Sequence, residues 1–404
     1  MTGTGSVPER DAGRVPERDA GSGPDALPDE AWVAALAGLP AMGPSRLRAI
    51  LGQWAPVDAW RRVARGTAVS HPAVAAACRA DRASVAAAWS RAALDIDVAG
   101  GWSAHQRAGV DVLIRGSAGF PAALADDQEA PAVLFSRGRP AVLAARRAAI
   151  VGTRTCTRYG AEVATELGRD LANAGVAIVS GLALGIDGAA HAGALDAGGA
   201  APIGVVGSGL DIVYPRAHAH LWADVGSRGL LLSEAPLGAR PEPWRFPARN
   251  RVIAALAEVV IVVESHSRGG SLHTVDAAMA RAVPVMAVPG SIRSPASAFP
   301  NALLADGCAP VRDALDVLVA LGLSSVPAGG QTELRPSPQG DAVAALAAVG
   351  WEPASLDDVI TRTRLGPGPA SLALARLQSD GWVTCRGGWW ERVATDIEGR
   401  RSSP

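Results

Sequence analysis

The sequence contains no lysine: all 38 of its basic residues are arginine. That excludes at once a phosphate-loop lysine of the Walker type, a Schiff-base lysine and a kinase-type lysine. Cysteine is nearly as scarce. Cys78, Cys156, Cys308 and Cys385 lie far apart and form no C-x-x-C pair. Neither a disulfide framework nor a zinc cluster is expected, and a reducing cytoplasm fits. Charged residues make up 19% of the chain and the formal net charge is −1. A generally basic nucleic-acid coat is therefore excluded, and any anion site must be local. The first residues are polar, and no long uncharged apolar run occurs later, so neither a signal peptide nor a membrane span is expected. His218 and His220 stand two apart with no third ligand nearby, so no metal site is expected.

What is present is a long, apolar chain. With 404 residues and 49% hydrophobic content, it can bury cores for two or three domains. Residues 1–27 carry a short polar repeat (Val7-Pro8-Glu9-Arg10-Asp11-Ala12-Gly13, then the same letters at 15–21) and read as a disordered tail. From 28 to 98, Trp32, Val33, Leu36, Leu47, Ile50 and Leu51 recur at helical spacing, which suggests a small all-α domain. From 99 to 323, short apolar runs at 148–151, 177–179, 203–206, 230–232, 259–263 and 285–288 alternate with amphipathic stretches. That is the signature of an α/β fold, a doubly wound parallel sheet wrapped by helices. Residues 324–340 read as a linker. Three helical patterns and a two-strand ribbon within 341–393 give the plan of a winged helix, and 394–404 form a second tail.

The loops that follow the strands carry the chemistry. Gly152-Thr153-Arg154-Thr155 runs from the first strand into a helix. Glycine lets a backbone approach an anion, the helix end offers amides, and Arg154 offers a fork for phosphate. Ser180-Gly181 and Gly207-Ser208-Gly209 end the next two strands. Three glycine-containing loops at successive strand ends suggest a phosphate or nucleotide-backbone cleft. No G-x-G-x-x-G with an acidic residue after the second strand is present, so a dinucleotide cofactor is disfavoured and none is expected. Residues 240–251 hold four Arg against one Glu, with Trp244 and Phe246 among them. Guanidinium groups and flat rings are the two parts of a single-strand binder. The competing reading is a helix-capping loop with Asn250 at the helix start. Arg268-Gly269-Gly270-Ser271 offers amides and hydroxyls for a further phosphate.

In this order, Val151-Gly152-Thr153-Arg154, Ser180-Gly181 to Gly185-Ile186-Asp187 with His191, Gly207-Ser208-Gly209-Leu210-Asp211 with Tyr214-Pro215, and Phe246-Pro247-Ala248-Arg249-Asn250-Arg251 resemble the DNA-processing protein A (DprA/Smf) family. The resemblance covers about residues 110 to 320. It implies an extended Rossmann-like domain that forms a homodimer and holds single-stranded DNA in a basic pocket. It further implies delivery of RecA recombinase onto that DNA, without catalysis and without a cofactor. By match to the motifs, Arg154, Phe246, Arg249, Asn250 and Arg251 are the candidate DNA contacts. Gly152, Gly181, Gly207 and Gly209 would let the strand approach, and Thr153, Ser180, Arg268 and Ser271 complete the candidate set. The loop 269–275 departs from the family's Ser-Gly-Ser-Leu-Ile-Thr-Ala. Residues 39–47 resemble a helix-hairpin-helix, and the 341–393 unit, with five Arg against six Asp and Glu, favours a partner-binding or structural role. Two alternatives stand beside this reading. One is a nucleoside monophosphate glycosidase-like enzyme with Glu264 and Asp276 as carboxylates. The other is a protein scaffold whose glycine loops are only tight turns.

Overall fold

The computed structural model describes residues 27–267, 269–323, 335–350 and 353–393. Both expected tails (save Leu27), Arg268 and most of the expected linker lie outside the described residues. Among those described, nine strands form one sheet: β1 (Asp111–Ile114), β2 (Val133–Gly138), β3 (Arg146–Val151), β4 (Val176–Ser180), β5 (Ile203–Val206), β6 (Leu230–Ser233), β7 (Val259–Val262), β8 (Val285–Ala287) and β9 (Ala309–Pro310). Their order is β1-β2-β6-β5-β4-β3-β7-β8-β9. From β6 to β9 all pairs are parallel, while β1, β2 and β6 pair antiparallel. Every residue of β4, β5, β6 and β7 is buried, because helices cover both faces and an unbroken apolar run is then the stable choice.

Helices Arg158–Asn173, Ile186–Ala197 and Ala314–Ala320 cover one face with Leu167, Leu171, Ile186, Val317 and Leu318. Helices Arg245–Leu256, Leu272–Met279 and Ala298–Ala305 cover the other with Val252, Ile253, Val275 and Leu303. The chain winds outward from β3 to β6 and then crosses back to β7 on the far side of β3. The strand order therefore reverses between β3 and β7, and the loops at the carboxyl ends of these two strands part there.

The N-terminal segment is helical, with helices Asp29–Ala37, Pro44–Leu51, Pro56–Ala64, Pro72–Cys78 and Arg82–Asp95. It is not an independent core. A sixth helix, Val98–Arg107, joins it, and one apolar cluster runs from Leu36, Ile50 and Trp89 through Val112 and Phe135 to Leu231 on the sheet. Short Ala-rich helices bury little area by themselves and gain most of it against the sheet.

The last unit has its own core of Leu346, Val359, Leu374, Leu377 and Val383. Helices Asp341–Val349, Leu356–Thr363 and Pro367–Ser379 are followed by a ribbon, and β10 (Ala354–Ser355) adds a third strand to β11 (Val383–Arg386) and β12 (Trp389–Arg392). Gly387 and Gly388 at the ribbon's turn both have positive φ, 59° and 84°, the requirement of a two-residue hairpin turn. The expected linker ends early. Arg335 donates to Gly381 O and Val393 O, and Trp382 Nε1 donates to Pro336 O, so these residues belong to the last unit. Among the described residues no helix is long and apolar enough to cross a membrane.

Candidate nucleic-acid interface

A cleft of about 580 Å³ opens where the strand order reverses. Its walls are the loop after β3 (Gly152, Thr153, Arg154), the helix Arg245–Leu256 (Phe246, Arg249, Asn250, Ile253) and the loop after β7 (Gly269, Gly270, Ser271). The four helix residues are spaced i, i+3, i+4, i+7, which places them on one face. A smaller recess of about 90 Å³, lined by Arg154, Gly207, Tyr214, Phe246 and Arg249, continues it toward β5.

The helix begins at Arg245, five residues before the start that the helix-capping alternative gave it. Pro247 is compatible with this because first-turn N–H groups have no intrahelical partner. The helical period then separates residues that look like one basic patch. Arg249 faces the cleft floor. Arg251, two positions on, points to the other side, where Nη2 donates to Glu234 Oε1 at 2.5 Å and Nη1 to Glu129 O at 2.5 Å. The structure therefore does not bring Arg251 together with Arg154 and Arg249.

Arg249 is only 7% exposed. Its Nη1 donates to Val205 O, and the guanidinium lies over Gly181. Burial lowers its pKa to about 10, with the Asp187 carboxylate holding it up and the Arg154 charge pressing it further down. It stays cationic at neutral pH. Burial in turn raises Asp187, against the pull of Arg249 and of the Gly181 amide, which donates to Asp187 Oδ2 at 3.0 Å. Arg154 is exposed, and its guanidinium carbon sits 5.2 Å from the Phe246 ring centre. Tyr214, 42% exposed, lies 5.5 Å from Phe246 with the rings tilted by 34°. One exposed cation, one buried cation and two rings thus converge on one opening.

Several expected roles change. Two of the amides that open helix Arg158–Asn173, those of Thr157 and Gly160, are already taken by the protein. Glu264 accepts from Thr157 N at 2.8 Å and Thr157 Oγ1 at 2.6 Å, and Thr157 Oγ1 accepts from Gly160 N. The protein's own carboxylate sits where an anion was expected. Ser180 is fully buried and donates to Ile150 O at 2.6 Å, and Ser271 donates to Ser265 Oγ at 2.6 Å. Thr153 N donates to Glu264 O at 2.7 Å, while its hydroxyl lies 3.4 Å from Thr155 Oγ1.

The four glycines pack against protein. A Cβ on Gly152 would come within 2.5 Å of Glu264 O, one on Gly209 within 2.5 Å of Pro236 O, and one on Gly207 within 3.3 Å of the Phe246 ring. On Gly181 it would strike the Arg249 guanidinium. Gly270 is different, with open space at the Cβ position, and its carbonyl accepts from Asn250 Nδ2 at 3.1 Å. Arg268 lies outside the described residues.

Sequence reasoning left Tyr214 and Asp187 out of the site. Tyr214 is one of only two tyrosines, a scarcity that could have singled it out, whereas the partnership of Asp187 with Gly181 and Arg249 leaves no mark in the sequence. The carboxylates of the enzyme alternative are not paired over the cleft. Glu264 is buried under Thr157, and Asp276 is not among the lining residues.

Comparison with known proteins agrees with this architecture. Residues 111–322, just over half of the chain, match the family described as DNA recombination-mediator protein A. The chain is 38% identical over 220 residues to DNA processing protein DprA of Bacillus subtilis, covering 54% of this chain and 74% of that one. It is 34% identical over 291 residues to protein Smf of Escherichia coli, covering 70% and 78%. The X-ray structure of DNA processing protein A from Streptococcus pneumoniae superposes with a TM-score of 0.58 and 31% identity, covering 72% of this chain and 98% of that one.

Proposed function

The chain belongs to the DNA recombination-mediator protein A family, and from its cleft we propose that it binds single-stranded DNA, protects it and loads RecA recombinase onto it in transformation or recombination. The observation that carries this reading is the convergence of Arg154 and Arg249 with Phe246 and Tyr214 at one opening. Guanidinium groups neutralise phosphates in any sequence, and exposed rings stack on any base, so the combination favours an unpaired strand over a duplex. The family's description as a recombination mediator supports the second half of the proposal. The role is one of binding, without a catalytic group or a cofactor.

A homodimer through the α/β domain goes with this reading. Leu315 and Val319, on a helix just after the edge strand β9, are 54% and 57% exposed, a surface suited to a second copy. The C-terminal unit is read as a winged helix that meets a protein partner, in keeping with its net negative charge. The test is fluorescence anisotropy of labelled oligo(dT) against a duplex of equal length across a salt series. Strand-selective, salt-sensitive binding is expected, followed by faster RecA filament growth on the bound strand. No binding at low salt would overturn the proposal.

A further inference from the structure

The helix Arg245–Leu256 has a second face with a groove of its own. On this side Trp244, Arg245, Ala248 and Arg251 confront the N-terminal helices across a groove of about 770 Å³. Its far wall carries Arg46, at the start of helix Pro44–Leu51, and Arg79, just after helix Pro72–Cys78. Four arginines line it against two acids, Asp81 and Glu242. Arg251 is neutralised by Glu234, and Arg245 leans on the Trp244 ring, its guanidinium carbon 4.6 Å from the centre. Arg46 and Arg79 have no acidic partner among the described residues. Arg46 donates to Ala41 O at 2.7 Å, and Arg79 is exposed.

We propose that this groove is a second single-strand subsite that receives the strand as it leaves the first cleft, with phosphates on Arg46 and Arg79 and a base on Trp244. The inference rests on the reading of the first cleft as a single-strand site. Two observations carry it. Adjacent residues at the head of one helix line the two grooves, Pro243 the first and Trp244 the second. A helix with its side chains is about 10–12 Å across, a span that consecutive nucleotides can bridge. Trp244 is 43% exposed at the rim, its indole Nε1 fixed to Glu242 Oε2 at 2.7 Å; Arg245 covers one ring face, and the exposed part of the side chain is available for stacking. Guanidinium pairs beside an open indole suit a nucleic-acid strand better than an acidic peptide, which has no flat group for the ring at each step.

Anisotropy of the full chain with oligo(dT) of about 5 to about 16 nucleotides tests this. The wild type should gain affinity and salt slope with length. R46Q/R79Q should bind the shortest oligonucleotide as the wild type does, yet lose about 1.4 of the salt slope on the longest, about 0.7 for each phosphate released. W244A should lower affinity for the longest oligonucleotide about tenfold with little change in slope. A wild-type gain with length in both variants would overturn the proposal. If the wild type fails to bind the shortest oligonucleotide at any salt, the reading of the first cleft falls instead. The second subsite, defined as taking the strand from that cleft, then falls with it, whereas a gain with length retained by both variants overturns the second subsite alone.

Discussion

Substituting Gly181 by alanine separates two explanations for the glycine loops. If Gly181 is there to let a DNA strand approach, the added methyl meets the ligand. If it is there to seat Arg249, the methyl meets the protein. A Cβ at this position would stand 2.5 Å from Arg249 Cζ and closer still to both Nη atoms. Ordinary contact between such atoms needs about 3.5 Å, so the guanidinium must move by about 1 Å. It then loses its bond to Val205 O. A hydrogen bond from a charged group contributes about 1.5–3 kcal/mol, so G181A should lower Tm by about 5 °C.

The displaced cation no longer meets its phosphate. The salt slope for oligo(dT) should drop by about 0.7, which is about a threefold difference in affinity change between 50 and 200 mM salt. The decisive assay is the double-mutant cycle with R249A, reading both Tm and salt slope. Arg249→Ala empties the space over Gly181, so G181A should add almost nothing in that background. Additive losses in the double mutant would refute the reasoning and return Gly181 to the ligand.

Phe246→Ala should weaken oligo(dT) binding by about 1–3 kcal/mol while leaving the salt slope nearly unchanged, because stacking releases no counterions; a slope change equal to that of R249A in the same titrations would contradict this. His191 is fully buried and burial lowers its pKa to about 4 from an ordinary 6.5. Its folded pKa is depressed, so its contribution is present above about pH 6.5 and is lost as pH falls from 6.5 towards 4. That contribution is on the order of 3 kcal/mol. His191→Leu should flatten the stability profile between pH 7 and pH 4 in urea unfolding, and an unflattened profile would show that other groups govern that window.

The strands were legible because their signal is local. Six apolar runs bounded by turn residues became β3 to β8, at nearly the expected bounds. The loop series at 151–154, 180–187, 207–215 and 246–251 was specific enough to identify the family, because the spacing of glycines and arginines survives in the linear text. The start of helix Arg245–Leu256 was less legible. Pro241, Pro243 and Pro247 read as loop punctuation, although a first helical turn accepts proline.

The sequence by itself determined a parallel α/β core, its order of ligand-facing loops and a local excess of arginine near position 245. Only the tertiary structure decided which arginines share a site. Arg249 and Arg251 lie on opposite sides of one helix, and Arg46 comes from a segment two hundred residues earlier to face Trp244. It also decided which anion positions are already filled, as Glu264 fills the opening of helix Arg158–Asn173 from more than one hundred residues away. The physical reason is range. Propensity and periodicity act over a few residues, whereas the competition of a side-chain carboxylate with a phosphate for the same amides is settled by atoms that folding alone brings together.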